Sequence, residues 1–186
     1  TRRLRCLDRW QRSRQIQSVR HGEFIRVART WRHRPLISVF LPADGGSGRC
    51  PSKSINSVKA QIYANWELFI LTTEPTESHS FQRLKAQERD DCRIKIVHVP
   101  HENKTSTAFN NALASAAGEY VAILDCGDLL ERHALYRVAE CINAGSPDML
   151  YSDEALISDV SGDVLDLVFR PAFSLELLRA NPYIHH

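Results

Sequence analysis

From residue 35 onward, short β-rich runs alternate with helical patterns, and this alternation restricts the fold more than any other feature of the chain. It is typical of right-handed βαβ units, in which helices connect the parallel strands of one sheet. The predicted strands are residues 36–41, 67–71, 93–99, 120–124, 148–151 and 164–169, and the predicted helices are 54–61, 80–88, 105–117, 129–144 and 174–180. We therefore predict an α/β fold built on a mostly parallel sheet.

At 186 residues the chain has the size of one domain. Its hydrophobic content of 43% is enough for a core. Its charge is divided unevenly along the sequence. Residues 1–34 contain eleven arginines against Asp8 and Glu23, so this segment carries +9 and residues 35–186 carry −7 within a net charge of +2. We predict an Arg-rich arm at residues 1–34 and a globular domain at residues 35–186.

The arm repeats apolar residues such as Trp10, Phe24 and Trp31 at an imperfect helical spacing, which predicts a basic amphipathic helix. Such a helix can pack on a neighbouring domain, lie on an anionic membrane surface or bind nucleic acid. We favour a linker helix and keep peripheral membrane contact through residues 1–34 as the alternative. Recognisable RNA-binding and zinc-finger patterns are absent, so no nucleic-acid partner is expected.

The cysteines and the hydropathy pattern indicate the compartment. The five cysteines, Cys6, Cys50, Cys92, Cys126 and Cys141, form no close Cys-x-x-Cys pair, which argues against a disulfide framework or a zinc site. No apolar run approaches the roughly 18 residues of a membrane-spanning helix, and no signal peptide is recognisable. We expect a cytoplasmic protein, at the inner face of the membrane if the arm contacts lipid.

Residues 118–128 read Gly-Glu-Tyr-Val-Ala-Ile-Leu-Asp-Cys-Gly-Asp, an apolar strand that ends in two acidic residues. Ligands of open α/β sheets bind beyond the carboxyl ends of the strands, so Asp125 and Asp128 are expected at an active site. Carboxylates repel phosphate, but they can hold a divalent cation that bridges to a diphosphate. The pair therefore suggests a nucleotide-sugar enzyme, with a divalent cation at Asp125 and Asp128.

Asp128 has a second interpretation. Glu131 lies three residues after it, and Leu135, Val138 and Ile142 then recur at helical spacing. Asp128 therefore also fits the N-cap of a capping box. Asp125 is harder to explain structurally, because a carboxylate directly after a buried strand is costly unless it is solvated, paired or liganded. The capping and metal-binding roles can coexist.

An ordered set of short motifs extends over residues 34–185. It comprises Arg-Pro-Leu-Ile-Ser-Val at 34–39, Ser-Val-Lys-Ala-Gln-Ile-Tyr at 57–63, Trp-Glu-Leu at 66–68, Arg-Ile-Lys-Ile-Val at 93–97, Glu-Asn at 102–103, Ala-Phe-Asn-Asn-Ala-Leu at 108–113, Ala-Gly-Glu-Tyr-Val at 117–121, Asp-Cys-Gly-Asp-Leu-Leu at 125–130, Tyr-Ser-Asp-Glu at 151–154 and Asn-Pro-Tyr-Ile at 181–184. As a set, these motifs resemble the family 2 glycosyltransferases. The resemblance implies the GT-A fold, a Rossmann-like arrangement of helices on both sides of the sheet.

The resemblance also implies an inverting transfer from a nucleotide-diphosphate sugar to a glycan or lipid-linked acceptor, in cell-surface polysaccharide biosynthesis. It places the donor on this part of the chain, with Mg²⁺ or Mn²⁺ at the acidic motif, and the catalytic base beyond His186. The donor-binding positions that it implies are Pro42, Asp44, Thr73, Glu74, Asn103, Asn110, Asp125 and Asp153. Asn103 and Asn110 equally fit a loop turn and a helix-side hydrogen bond.

The chain departs from the family pattern at three places. Gly127 stands where the Asp-x-Asp-Asp motif of the family has its third residue, Thr72-Thr73-Glu74 replaces two aspartates after the second strand, and Pro42-Ala43-Asp44-Gly45-Gly46 replaces Pro-x-Tyr-Asn. These departures leave two hypotheses. Either the chain is the donor-binding part of an active glycosyltransferase, or it is a degenerate GT-A module that binds sugar nucleotide or protein without transfer.

Overall fold

The computed structural model describes residues 21–43, 51–99, 105–181 and 183–184. It forms two compact units: a sheet unit, Ile25–Ser146, and a hairpin unit made of Pro147–His186 with Thr1–Phe24. The elements are α1 (His21–Thr30), β1 (Ile37–Pro42), α2 (Ser52–Lys59), β2 (Trp66–Thr72), α3 (His79–Asp90), β3 (Ile94–His98), α4 (Thr105–Ser115), β4 (Tyr120–Ile123), α5 (Ala134–Gly145), β5 (Glu154–Ile157), β6 (Val164–Val168) and α6 (Leu175–Ala180). The described end of the arm is helical, as predicted, and its first twenty residues lie outside the described part.

The sheet unit contains four parallel strands in the order β3-β2-β1-β4. The two central strands, β1 and β2, are almost continuously apolar, and nearly all of their residues are buried. This is the pattern expected of parallel strands that are covered on both faces. The prediction of a mostly parallel sheet is confirmed, and the first four predicted strands match β1 to β4 within two residues at each end.

One face of the sheet packs against α4. Phe40 of β1 and Phe69 of β2 form a cluster with Ala108 and Ala112 of the helix, and the two phenylalanine rings meet edge to face at 5.4 Å. Small helix residues let the helix approach the aromatic rings closely. The Ala-rich composition of α4 therefore has a packing reason, beyond the high helix propensity of alanine.

A buried carboxylate holds the strands together at their amino ends. Oε1 of Glu67 accepts hydrogen bonds from the Ser38 hydroxyl and the Ala117 N–H, both at 2.7 Å, and Oε2 accepts from Nζ of Lys95 at 2.7 Å. Burial by itself raises the pKa of Glu67, but the bonds from Lys95, Ser38 and Ala117 outweigh it, and the pKa lies below the ordinary range. The charged form of Glu67 thus stabilises this end of the sheet.

Gly118 allows the close approach that this network needs. Its N–H donates to Oγ of Ser38 at 3.0 Å. A Cβ atom at residue 118 would lie 2.4 Å from the same Oγ and 2.9 Å from the Leu36 carbonyl oxygen. Glycine at residue 118 is therefore required by its close contact with β1.

The hairpin unit differs from the prediction. The strand predicted at residues 148–151 is absent, and Met149 and Leu150 are exposed there instead. The strand forms later, as β5, because only Glu154–Ile157 finds a pairing partner, the antiparallel strand β6. The prediction at residues 148–151 rested on apolar composition, but pairing with a neighbouring strand also decides where a strand forms. The predicted helix at 174–180 is confirmed as α6, where Ser174 is the N-cap and accepts from the N–H of Leu177.

Candidate functional site

Four predicted site residues lie at the carboxyl edge of the sheet, at the end of a strand or just after it. Pro42 ends β1, Thr73 and Glu74 follow β2, and Asp125 follows β4 after Leu124. Because β1 lies between β2 and β4, the structure brings these residues to the same edge. The strand order changes direction between β1 and β4, which is the position where open α/β sheets bind ligands.

Backbone bonds carry the sheet pairing past the strand ends and fix this edge. The N–H of Ala43 donates to the Leu71 carbonyl at 2.7 Å, and the N–H of Leu124 donates to the Phe40 carbonyl at 2.9 Å. The hydroxyl of Thr72, which is fully buried, donates to the Ala43 carbonyl at 3.3 Å and accepts from the Glu74 N–H at 3.1 Å. Thr72 is therefore a structural residue, and Thr73 and Glu74, both half-buried, remain the candidates for ligand contact.

Asp125–Asp128 forms a tight turn, which we call the acidic turn (residues 125–128). The N–H of Asp128 donates to the Asp125 carbonyl at 3.0 Å, and Gly127 has a φ of 95°. Cys126 does not have a positive φ. A positive φ at the third residue defines a type II turn, which favours glycine there. The turn geometry thus explains why Gly127 replaces the carboxylate that the family pattern predicts.

Two serines of α2 hold the acidic turn. The Ser54 hydroxyl accepts from the Gly127 N–H at 3.0 Å, and the Ser57 hydroxyl accepts from the Leu130 N–H at 3.1 Å. The Ser57 hydroxyl also donates to the Ser54 carbonyl at 2.7 Å. Ser54 is completely buried, so its hydroxyl has a fixed position. The helix thereby ties down both the interior and the far end of the loop that carries Asp125 and Asp128.

Gln61 extends the same support to the start of α5. Its side-chain amide donates to the Glu131 carbonyl at 2.7 Å and accepts from the Leu135 N–H at 3.0 Å. The N-cap of α5 is His133, and its side chain makes no capping bond. The interpretation of Asp128 as N-cap is therefore wrong: the helix begins at Ala134, and the amide of Gln61 satisfies the N–H that a cap would have bonded.

The remaining predicted residues are placed differently. Asp44 and Asn103 lie outside the described residues. Asn110 is exposed on α4. Asp153 lies in the hairpin unit, where its Oδ1 accepts from the Arg170 N–H at 2.7 Å while the side chain of Arg170 pairs with Glu154. Asp153 thus joins the segment before β5 to the segment after β6.

The acidic turn offers two carboxylates for a divalent cation. Asp125 is exposed and Asp128 is half-buried. Among the described residues no group of three or more His, Cys, Asp or Glu could hold a metal ion. Two carboxylates fit the way Mg²⁺ is usually held, by one or two protein carboxylates together with substrate phosphates. The residues present therefore fit a cation that arrives with a diphosphate, and they do not form a complete protein cage.

Comparison with known proteins decides the family. The family model "Glycosyl transferase family 2" matches residues 52–161, which include α2, the whole carboxyl edge after β2 and the acidic turn. The chain belongs to glycosyl transferase family 2. The resemblance stated from the motifs is thereby confirmed.

Relatives in this family include bacterial proteins that are much longer than this chain. An uncharacterized protein, y4gI, from Sinorhizobium fredii is 34% identical over 95% of the chain, and the O-antigen biosynthesis protein RfbC from Myxococcus xanthus is 33% identical over 86%. The chain spans only 19% and 12% of these two relatives. It also spans 48% of a β-1,3-glucosyltransferase from Escherichia coli, WfgD, to which it is 29% identical over 68% of its own length.

Solved glycosyltransferase structures share the fold. TarS from Staphylococcus aureus, solved with UDP, superposes with a TM-score of 0.51 at 19% identity, over 60% of this chain and 33% of that one. A mannosyltransferase from Pyrobaculum calidifontis, solved with GDP-Man and Mn²⁺, has a TM-score of 0.50 at 19% identity, over 80% of this chain and 44% of that one. The predicted GT-A fold class is confirmed.

Sequence reasoning missed Ser54, Ser57 and Gln61 as supports of the site. A signal was present for the two serines, because Ser54 and Ser57 lie three residues apart beside the buried Ile55 and Val58 of α2, and Gln61 follows the end of that helix. Polar residues that share a helix face with core residues need hydrogen-bond partners. The partners lie in a loop about seventy residues away, and this pairing could not be read from the sequence.

In the described residues, no helix is both long enough and apolar enough to cross a membrane.

Proposed function

We propose that this chain is the donor-binding part of a glycosyltransferase that moves a sugar from a nucleotide diphosphate to a glycan or lipid-linked acceptor, with inversion, in cell-surface polysaccharide biosynthesis. The observation that carries the proposal is the acidic turn at the carboxyl edge of the sheet, beside β1, in a chain of family 2. Relatives named for O-antigen and teichuronic acid biosynthesis support the biological setting.

The chemistry fits the position of the two carboxylates. Negative charge develops on the leaving nucleoside diphosphate as the glycosidic bond breaks, and a bound Mg²⁺ or Mn²⁺ neutralises it without a proton transfer. Asp125 and Asp128 are the residues that would hold this cation. Pro42, Thr73 and Glu74, at the same edge, lie where a nucleoside attached to that diphosphate would extend along the ends of β1 and β2. Asp44, Asn103, Asn110 and Asp153 stay predicted donor contacts.

Inversion requires a single displacement, in which a base deprotonates the acceptor hydroxyl as it attacks. We assign no catalytic base to the described residues and place it, with the acceptor site, in the part of the relatives that this chain does not span. The chain itself binds and orients the donor. The membrane contact proposed for residues 1–34 and a position at the inner membrane face would bring this donor site near a lipid-linked acceptor.

The test is a calorimetric titration of UDP, GDP and dTDP into the full 186-residue chain, with Mn²⁺ and again with EDTA. One nucleotide is expected to bind more tightly with Mn²⁺, and Asp125→Ala is expected to remove that gain. Asp90→Ala, an exposed aspartate at the end of α3 and thus toward the amino edge of β3, is the matched control and should keep it. A gain that survives Asp125→Ala would reject the assignment of the acidic turn.

A second function is a degenerate module that binds sugar nucleotide or protein without transfer. Gly127 in place of a carboxylate favours it, as does the lack of a three-ligand cluster among the described residues. This alternative predicts either nucleotide binding that is equal in Mn²⁺ and EDTA or no binding at all. The same titration therefore distinguishes the two functions.

A further inference from the structure

We propose that Ser54 and Ser57 are positioning residues for the metal-binding carboxylates: their hydroxyls hold the acidic turn in the shape that points Asp125 and Asp128 at a cation on the diphosphate. The inference rests on the proposed function and deepens it, because it names the residues outside the acidic turn on which metal-dependent donor binding depends.

The first step concerns the backbone of the turn. The Asp128 N–H donates to the Asp125 carbonyl across it, and Gly127 contributes no side chain to its packing. Glycine also has the largest conformational freedom to lose on ordering. Bonds from another element to the backbone of this turn therefore restrict its conformation further.

The second step is that α2 supplies those bonds at two points. Ser54 accepts the Gly127 N–H inside the turn, and Ser57 accepts the Leu130 N–H just after it. The two hydroxyls are joined through the Ser54 carbonyl, to which Ser57 donates. Because Ser54 is completely buried in the sheet unit, its hydroxyl has a fixed position. The bonds to this hydroxyl and to that of Ser57 therefore restrict the motion of the loop.

The third step is what the support does for binding. A site with only two carboxylates binds a divalent cation weakly without the substrate phosphates. Motion of either carboxylate away from the cation therefore lowers the affinity further. Residues that orient metal ligands without touching the metal typically affect its affinity about 10- to 100-fold. We assign Ser54 and Ser57 to this class.

The test uses four variants of the full chain. Ser54→Ala and Ser57→Ala remove one hydroxyl each, and Ser57→Thr restores a hydroxyl at a half-buried position. The matched control is Ser115→Ala, which removes a serine hydroxyl that bonds within its own helix, to the Asn111 carbonyl. The two measurements are hydrogen exchange of the Gly127 and Leu130 amides without ligand, and the nucleotide dissociation constant in Mn²⁺ and in EDTA.

We expect exchange to rise about tenfold at Gly127 in Ser54→Ala and at Leu130 in Ser57→Ala, with β1 amides unchanged. The affinity in Mn²⁺ should fall about tenfold or more while that in EDTA stays the same, and Ser57→Thr and Ser115→Ala should match the wild type. Unchanged exchange, or an equal loss with and without Mn²⁺, overturns the inference and leaves the proposed function standing. Failure of the wild-type chain to gain affinity from Mn²⁺ overturns the proposed function instead, and the inference falls with it.

Discussion

Replacement of Glu67 by glutamine tests how the sheet unit is held together. The side chain is 8% exposed, and Oε1 accepts two bonds, from Ser38 and Ala117, that become neutral when the charge is lost. A hydrogen bond to a charged group contributes about 1.5–3 kcal/mol and a neutral one about 0.5–1.5 kcal/mol. The two bonds together therefore lose about 2–3 kcal/mol. The third partner, Lys95, is 46% exposed and rotates into solvent, so its ion pair adds little.

The sign of the pH dependence follows from the lowered pKa of Glu67, whose ionised form is favoured in the folded chain. The stabilisation is present above the ordinary carboxyl pKa and is lost as the pH falls through the folded pKa. The wild-type chain should thus exceed Glu67→Gln in stability by a constant amount between about pH 5 and pH 7. The difference should shrink steadily below about pH 4.

The assay is urea unfolding at several pH values, with Glu119→Gln as the control. Oε2 of Glu119 lies 2.8 Å from Nε2 of His33, and both side chains are 50% exposed, so loss of this contact should cost less than about 1 kcal/mol. A Glu67→Gln penalty no larger than that of the control, or one that persists unchanged at acidic pH, would refute the role assigned to the charge.

Three further changes have defined outcomes. Gly118→Ala should destabilise the chain by about 1–3 kcal/mol in urea unfolding, because its Cβ would overlap Oγ of Ser38; a neutral effect would contradict the close approach. Gly127→Ala should cost about 1–2 kcal/mol and weaken Mn²⁺-dependent nucleotide binding, because its φ of 95° disfavours a side chain; unchanged stability and binding would contradict the type II turn. Ser174→Ala should lose about 0.5–2 kcal/mol of local stability in α6, measured by exchange of the Leu177 amide, because that N–H loses its cap; unchanged exchange there would contradict the cap.

The sequence predicted most of the sheet unit because its patterns are local. β1 and β2 are mostly apolar and flanked by turn residues, and helix periodicity located α3 and α4 within two residues at each end. The start of α5 was missed by five residues, since the capping box at Asp128 is a valid local signal. The helix starts later because of a tertiary contact, in which the side chain of Gln61, just after α2, accepts from the N–H of Leu135.

The strand-end argument placed Asp125 and Asp128 at the carboxyl edge of the sheet, and the family resemblance supplied Pro42, Thr73 and Glu74. The structure has these residues at one edge, and their contact with a donor stays a prediction. The type II turn and its support by Ser54 and Ser57 depend on contacts between residues far apart in sequence. Gly127, first interpreted as a missing ligand, is explained by the backbone conformation that only the structure reveals.

The position of the metal site is tested most directly by paramagnetic broadening of amide resonances by Mn²⁺ in the presence of the nucleotide that binds. Broadening falls steeply with distance from the ion, so it maps the cation onto the fold. We predict strong broadening at residues 125–128, weaker broadening at Ala43, Thr73 and Glu74, and none at Ser38 and Glu67 at the amino edge. Broadening centred elsewhere, or none at the acidic turn under saturating nucleotide, would contradict the assignment of this edge as the donor site.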